Sequence, residues 1–481
     1  MKLTRRSLLE GSCFTVLGGS IGALNPTTSL SAPTLYSDKM VVDDVERRTF
    51  DFFWRAVNRK NGLIPDRYPT PSNALISSVG FALVAYGVGV ERGWIRRDEA
   101  RGITLKTLRF FDSLPMDDAP DGVGGYRGFF YQFLNFRTGL RADASTILSP
   151  IDVALLHLGF LYAAEWYDSE HPDEVEIRRL AMKLIDAAQW DWYEANGTNG
   201  LLPMGWDPKA GFNAYRWSGY SEAKGMYLLA MGSRTHPINP QAWSRWTASF
   251  DKHWVGSGKT RHLGCAPLFT HQYSEMWIDF RGIQDPLMML EGLDYFENGR
   301  RATYENRAYC IRNPMRWRGY SENIWGLTGS NGPADLIATY GGVARQFRQY
   351  TMRGPDTSPG GFDDGTIGPT ASVCAIACAP EIAIPAIYAL RTDYGKAIYR
   401  QLGFVEAFNP SFTDRGLIAS GRVFRDAGWV DDDYFSLDQG PIVGTIANHK
   451  NEGVWRTMRK SEHLRRALQL AKFRGGWLVK T

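Results

Sequence analysis

Carboxylates and aromatic rings are gathered in two seven-residue stretches set one hundred positions apart. Arg216-Trp217-Ser218-Gly219-Tyr220-Ser221-Glu222 returns as Arg316-Trp317-Arg318-Gly319-Tyr320-Ser321-Glu322, with six identities in seven. Each copy joins an indole, a glycine, a phenol and a carboxylate where a loop is expected to meet a helix. Such a set suits a sugar, whose C–H face packs on a π surface while its hydroxyls need polar partners. The competing reading is two similar helix starts whose Tyr and Trp serve the core. The duplication, with Trp206 close by in Met204-Gly205-Trp206-Asp207-Pro208, favours a site that draws on Trp206, Trp217, Tyr220 and Tyr320.

Other chemistries lose ground by absence from the sequence. There is no G-x-S-x-G elbow, no H-E-x-x-H motif, no P-loop and no G-x-G-x-x-G after a strand. The cysteines and eight histidines lack zinc spacing, so neither metal nor cofactor is expected. What remains is carboxylates: Asp152, Asp207, Glu222, Glu275, Asp279, Asp285, Glu322, Asp363, Asp364 and Asp438. Glycoside hydrolysis needs two, one protonated to help the leaving oxygen and one ionised to activate water. Each has a plainer use. Asp152, on an otherwise apolar stretch, either faces a cleft or is buried with hydrogen bonds. Asp363-Asp364-Gly365 reads equally as a turn. Asp438 opens an apolar helix and could serve only as its cap. Asp431-Asp432-Asp433 lacks a calcium-loop spacing and reads as solvated.

The elements that would position these groups are helical. Val45 to Ala56 has helical spacing after Asp43 and Asp44 as caps. Residues 74–91 are apolar on nearly every side, whereas 96–114 are amphipathic. The same pair recurs as 151–166 and 175–188. A buried helix followed by an amphipathic one is the signature of an inner and outer pair, and repetition around a ring gives a toroid with a central cleft. Further helices are expected over 219–232, 240–253, 284–298, 381–391, 438–449 and 461–471. Long loops fill 115–145, 190–217, 254–281, 311–335 and 351–370, with a small hairpin in 126–136. No linker interrupts the chain, so residues 32–481 are expected to form a single domain.

Bulk properties agree with an ordinary soluble protein that has ample core. The 481 residues are 44% hydrophobic and 22% charged, with a net charge of +4. No basic stripe interleaves with aromatics, so nucleic acid is not an expected partner. No later apolar run is long enough to span a membrane. At the N-terminus, Thr4-Arg5-Arg6-Ser7-Leu8-Leu9 and the mildly apolar Cys13–Leu24 resemble a twin-arginine signal, with small residues at Ser29-Leu30-Ser31 for cleavage near Ala32. Residues 1–31 are therefore expected to direct the folded protein through the twin-arginine machinery to the periplasm or beyond. Four cysteines would remain, and Cys374 and Cys378 read as buried free thiols.

The chain also carries an ordered set of landmarks. They run from Gly62-Leu63-Ile64-Pro65-Asp66-Arg67 through Ile151-Asp152-Val153-Ala154-Leu155-Leu156, Gly205-Trp206 and Trp217-x-Gly-Tyr220-Ser-Glu222. His271-Gln272-Tyr273-Ser274, Trp277-Ile278-Asp279-Phe280-Arg281-Gly282, Trp325-Gly326-Leu327-Thr328, Asp364-Gly365-Thr366 and Asp438-Gln439-Gly440-Pro441-Ile442 follow. In this order, over residues 45–456, the chain resembles the bacterial endo-β-1,2-glucanase family of glycoside hydrolases, also described as glucoamylase-like. The resemblance implies an (α/α)6 barrel and inverting cleavage of β-1,2-glucan or a related glucan. It implies Glu222 as general acid and Asp438 as base, acting through water. On its landmarks Asp152, Gln272, Asp279, Arg281, Trp325 and Asp364 join the aromatic residues as substrate-binding positions. Glu322 matches no catalytic position.

Three departures from the family pattern stand out. Ile147 occupies a glutamate position, with Asp143 a nearby substitute; Asn331 replaces an acidic residue; Ala447 stands where relatives carry glutamate. These losses keep two other classes open: a glucan-binding protein without turnover, and a transglycosylase or phosphorylase on the same barrel.

Overall fold

The computed structural model describes residues 38–479, so the twin-arginine stretch lies outside the described residues. Among the described residues, twelve of the helices alternate between an outer and an inner layer. The outer ones are α1 (Asp38–Ala56), α3 (Arg97–Ser113), α5 (Pro172–Asp186), α7 (Ala242–Thr247), α9 (Tyr295–Arg312) and α11 (Pro380–Asp393). The inner ones are α2 (Ile76–Glu91), α4 (Pro150–Trp166), α6 (Lys224–Gly232), α8 (Phe269–Trp277), α10 (Pro369–Cys374) and α12 (Ser436–Asn451). The expected (α/α)6 toroid is the observed architecture.

Layer follows side-chain pattern. Every residue of α6 and nearly every residue of α2 and α4 is buried, whereas α3 and α5 each bury a single stripe. Close contact between α2 and α4 depends on glycine. A β-carbon on Gly80 would lie 2.3 Å from the Leu155 carbonyl oxygen, and one on Gly159 would lie 2.3 Å from the Gly80 α-carbon. No side chain fits that crossing.

The inner helices run parallel, and side chains stitch their N-terminal ends together. Ser77 donates to Asp152 at 3.1 Å, joining α2 to α4. The Ser78 and Ser436 hydroxyls meet at 2.5 Å, joining α2 to α12. Pro441 lies inside α12 and has no N–H for the Leu437 carbonyl. The Tyr273 hydroxyl of α8 takes that place at 3.0 Å.

Several expectations need correction. Asp43 and Asp44 do not cap α1, which starts at Asp38; they pair instead with Lys450 and with Arg48 and Arg391. Helix α8 lies where a loop was expected, α10 starts at the end of an expected loop, in a stretch given no helix, and α9 extends far beyond residue 298. In the 126–136 region, Gly125–Tyr126 pairs with Phe129–Phe130 as a hairpin, but Phe133–Leu134 pairs with Ala74–Leu75. A longer hairpin, Leu336–Tyr340 with Val343–Phe347, was not anticipated. Cys265, Cys310, Cys374 and Cys378 are free thiols.

Candidate active site

Glu222 ends the first seven-residue repeat, two residues ahead of α6. The turn that delivers it uses Gly219 at φ +72°, where a β-carbon would also strike the His253 ring. The Glu222 carbonyl accepts from Ser274 of α8 at 2.7 Å, and the Ser274 oxygen accepts from the Gly225 N–H at 3.1 Å. The half-buried Glu222 is thus held where α6 begins, on the face that packs against α8.

Asp438 stands in the first turn of α12 and is 4% exposed. Phe435 occupies the cap position, so Asp438 is not the N-cap. Its carbonyl accepts from Thr370 of α10 at 3.3 Å. One residue on, the Ala371 carbonyl accepts from the Gln272 side chain at 2.7 Å. Gln272 in turn lies two residues before Ser274. A continuous path of hydrogen bonds and short chain segments therefore joins the Glu222 and Asp438 backbones through α8 and α10.

Asp152 lies at the same end, half-buried in the first turn of α4. Trp206 is placed beside it, because Trp206 and Leu148 exchange backbone hydrogen bonds just before α4 begins. The Trp206 ring stacks on Tyr126 at 5.2 Å and meets Trp192 edge-on at 5.5 Å. Arg141 fixes this rim, donating to Asp207 at 2.5 Å and to the carbonyls of Thr146, Ala144 and Pro120. Five expected residues therefore gather at one end of the ring: Glu222, Asp438, Gln272, Asp152 and Trp206.

The remaining expected positions are placed differently. Asp279 and Arg281 follow the C-terminal end of α8, at the opposite end of the ring. Asp279 is 3% exposed and binds Arg281 and Arg459, while Arg281 also binds Glu452. Trp325 is fully buried, and Trp217 is 6% exposed beneath the rim. Tyr220 is buried, with its hydroxyl bonded to His271, Lys224 and Asn298. Asp364 is fully buried in a two-point ion pair with Arg353, at 2.7 and 2.8 Å. Tyr320 donates to Asp363 at 2.6 Å, as do Tyr309 and Trp317 at 3.0 and 2.9 Å. Burial pushes the Asp363 carboxyl up to about 6 despite these donors. Asp279, Arg281 and Asp364 are thus engaged in ion pairs, and Tyr220 and Tyr320 in hydrogen bonds, within the fold.

The repeat itself resolves into two environments. Both copies lie in a connection from an outer to an inner helix, but the second runs into a strand, Gly329–Asn331, and not into a helix. Glu322 projects outward with 69% of its side chain exposed, 3.7 Å from Arg307.

Sequence reasoning missed two acidic partners of Asn331. Asn331 donates from its side chain to Glu406 and to Asp431, each at 2.9 Å, and its N–H donates to Glu406. Asp431 and Asp433 are buried and not solvated; burial raises the Asp431 carboxyl above its ordinary value. Two carboxylates thus hold the Asn331 side chain, at the position where the resemblance leads to the expectation of an acid. The apolar Trp429-Val430 immediately before Asp431 was the available sign that this run enters the core.

The Glycoamylase family model, described as "Putative glucoamylase", matches residues 214–462, more than half of the chain. The chain belongs to that family. A curated relative, the exo beta-1,2-glucooligosaccharide sophorohydrolase (non-reducing end) of Parabacteroides distasonis, is 22% identical over 488 residues. That match covers 95% of this chain, which spans 61% of the relative's length. A structure from Bacteroides uniformis described as a "putative glucoamylase" superposes with a TM-score of 0.77 at 26% identity, covering 93% of this chain and 100% of that one. The endo-beta-1,2-glucanase of Chitinophaga pinensis, in complex with sophorotriose and glucose, gives 0.76 at 23%, covering 92% and 100%. The Glycoamylase family and its toroid are thereby shown. Among the described residues, no helix is long and apolar enough to cross a membrane, and no group of His, Cys, Asp and Glu could hold a metal ion.

Proposed function

We propose that the protein is a glycoside hydrolase that cleaves β-1,2-glucan or a related glucan with inversion. The observation that carries this reading is the convergence of Glu222 and Asp438 at the N-terminal end of the inner ring, beside Trp206, Asp152 and Gln272. Membership of the Glycoamylase family supports it, as do relatives named for exo- and endo-acting β-1,2-glucan hydrolysis.

In this reading Glu222 delivers its proton to the glycosidic oxygen as the bond to the anomeric carbon breaks. Asp438 takes a proton from the water that attacks the opposite face, acting through water where it does not touch the nucleophile directly. Trp206 offers a ring face to a sugar, and Asp152 and Gln272 offer polar groups. Asp438 lies deeper than Glu222, which suits a group reached by a single water. The export route through the twin-arginine machinery, with loss of residues 1–31, belongs to the same proposal and rests on the N-terminal sequence.

Incubation with linear and cyclic β-1,2-glucans, with products resolved by chromatography, tests the reading. Sophorose as sole product indicates exo action and a ladder indicates endo action; binding without turnover overturns the hydrolase. Glu222→Gln is expected to lower kcat on the order of 10²–10⁴-fold, and Asp438→Asn nearly as much. Parental turnover in both variants removes the assignment.

A further inference from the structure

Helix α8 supplies the proposed mechanism with neither its acid nor its base, yet three consecutive side chains of it reach toward three other inner helices. Successive helical residues point about 100° apart, so a run of three fans over about 200°. Gln272 reaches α10, where it donates to the Ala371 carbonyl at 2.7 Å. Tyr273 reaches α12 and donates to the Leu437 carbonyl at 3.0 Å. Ser274 reaches the start of α6 and donates to the Glu222 carbonyl at 2.7 Å.

The sequences of α6 and α12 make both depend on these donors. The N-cap position of α6 is Ala223, whose side chain cannot cap. Ser274 does that work from another helix, because its oxygen also accepts from the Gly225 N–H at 3.1 Å. One hydroxyl thus closes the open end of α6 and holds the Glu222 carbonyl just ahead of it. In α12, Pro441 leaves the Leu437 carbonyl without a helical donor, and Leu437 immediately precedes Asp438.

Helix α8 is itself fixed at both ends. The Leu268 N–H donates to the Leu327 carbonyl at 3.2 Å, and the Phe269 N–H to the Thr328 hydroxyl at 3.3 Å. At the far end, the Glu275 and Met276 carbonyls accept from Trp455 and Asn448, each at 2.8 Å. Residues 270–277 are all buried, so close packing leaves the helix no room to slide.

Inversion asks for a set spacing. The two carboxyl groups must stand about 6.5–9.5 Å apart to admit a water, against about 5–5.5 Å for retention. The acid precedes α6 and the base stands in α12, so their spacing follows from whatever joins those helices.

We propose that Tyr273 and Ser274 are positioning residues, and that α8 is the ruler that sets the spacing of Glu222 and Asp438. Ser274 places the acid through the acid's own carbonyl, and Tyr273 places the base through the carbonyl one residue before it. The inference rests on Glu222 and Asp438 as the catalytic pair, and its test has a readout that needs no substrate. Crystal structures of variants are combined with kinetics on β-1,2-glucan. Ser274→Ala and Tyr273→Phe each remove one oxygen, and the phenylalanine keeps the ring contacts with Phe81 and Phe269. In Ser274→Ala the Glu222 carboxyl is expected to move by about 0.5 Å or more while Asp438 stays; Tyr273→Phe should do the reverse. Each displacement should lower kcat about 10- to 100-fold, with KM within about threefold of the parent. Glu174→Gln, which breaks an ion pair between α5 and α3, should leave kcat and KM at their parental values. If Ser274→Ala does not fold, Ser274→Cys keeps the volume with a weaker donor and takes its place with the same expectations. An unmoved carboxyl or a parental kcat in either variant overturns the proposal. So does a raised KM at unchanged kcat, which would make the residue a sugar ligand, or a loss in Glu174→Gln as large as theirs. A parent inactive on glucan whose variants show both displacements would instead overturn the hydrolase reading and leave the ruler in place.

Discussion

Asp363 and Asp364 are neighbours with opposite electrostatic solutions. Asp363 is satisfied by neutral donors, Tyr320, Tyr309, Trp317 and the Gly365 N–H, and its carboxyl is raised by burial. Asp364 instead carries the buried Arg353, which also donates to the carbonyls of Ser330 and Arg348. Asp364→Asn would strand a guanidinium in the interior, and breaking one side of a buried pair costs about 3–5 kcal/mol. Urea unfolding should show that loss, whereas Glu322→Gln, on a mostly exposed side chain, should stay within about 0.5 kcal/mol of the parent. A higher KM for Asp364→Asn at unchanged stability would restore its place as a sugar ligand. Residue type made the carboxylates legible, and the ordered landmarks drew attention to Glu222 and Asp438. Neither feature separates a group that faces the cleft from one that carries the wall behind it. Asp279 and Asp364 look as catalytic as Asp438 until their arginines are located. Those partners lie 2 and 180 positions away for Asp279, and 11 positions back for Asp364.

Among the elements, α2, α4 and α12 were legible because apolar residues surround them. Helix α8 was not, because it buries polar side chains that bond across the ring: Gln272 to Ala371, Tyr273 to Leu437 and Ser274 to Glu222. A search for apolar periodicity passes over such a helix. Helix α9 hides for a related reason; its buried stripe includes Asn298, Gly299, Thr303 and Asn306 beside Ala302 and Tyr309. The outer layer has its own polar lock. Glu174, near the start of α5, accepts from Arg97 at the start of α3 at 2.8 Å through each oxygen, and from Ser169. The Arg97 hydrogen bond, against the opposing effect of burial, lowers the Glu174 carboxyl to about 2. A depressed carboxylate stabilises the fold above its ordinary value of 4.5, and that contribution is lost as pH falls from there toward about 2. Glu174→Gln should therefore lower unfolding free energy by about 2 kcal/mol at neutral pH, with half-exposed Arg97 limiting the loss. The gap between parent and variant should narrow below pH ~4.5. Denaturant titrations at several pH values check it, and a constant gap would mean packing, not charge, is lost.

At the scale of the whole molecule, the ring closes between its two ends. Glu46 of α1 is fully buried, and it accepts from Arg92 after α2 and from Lys450 of α12. Strand Arg67–Tyr68 pairs with Tyr434–Phe435, just before α12. One hydrophobic core runs from Val41 to Phe473. The matched family segment, 214–462, omits α1 to α5, yet α6 packs on α4 and α12 packs on both α1 and α2. A fragment starting at residue 214 would expose two inner helix faces that have no polar side. Phe81 of α2 also fills the space at Gly440, where a β-carbon would lie 2.2 Å from its ring, so the fragment would lose the partner for that contact. Full-length protein is therefore expected to unfold in one transition, with calorimetric and van't Hoff enthalpies equal. The 214–479 fragment, expressed alone, should show no cooperative melt by circular dichroism. Two separated transitions, or a fragment that melts cooperatively, would mean that the ring is two folding units and that α1–α5 only cover it.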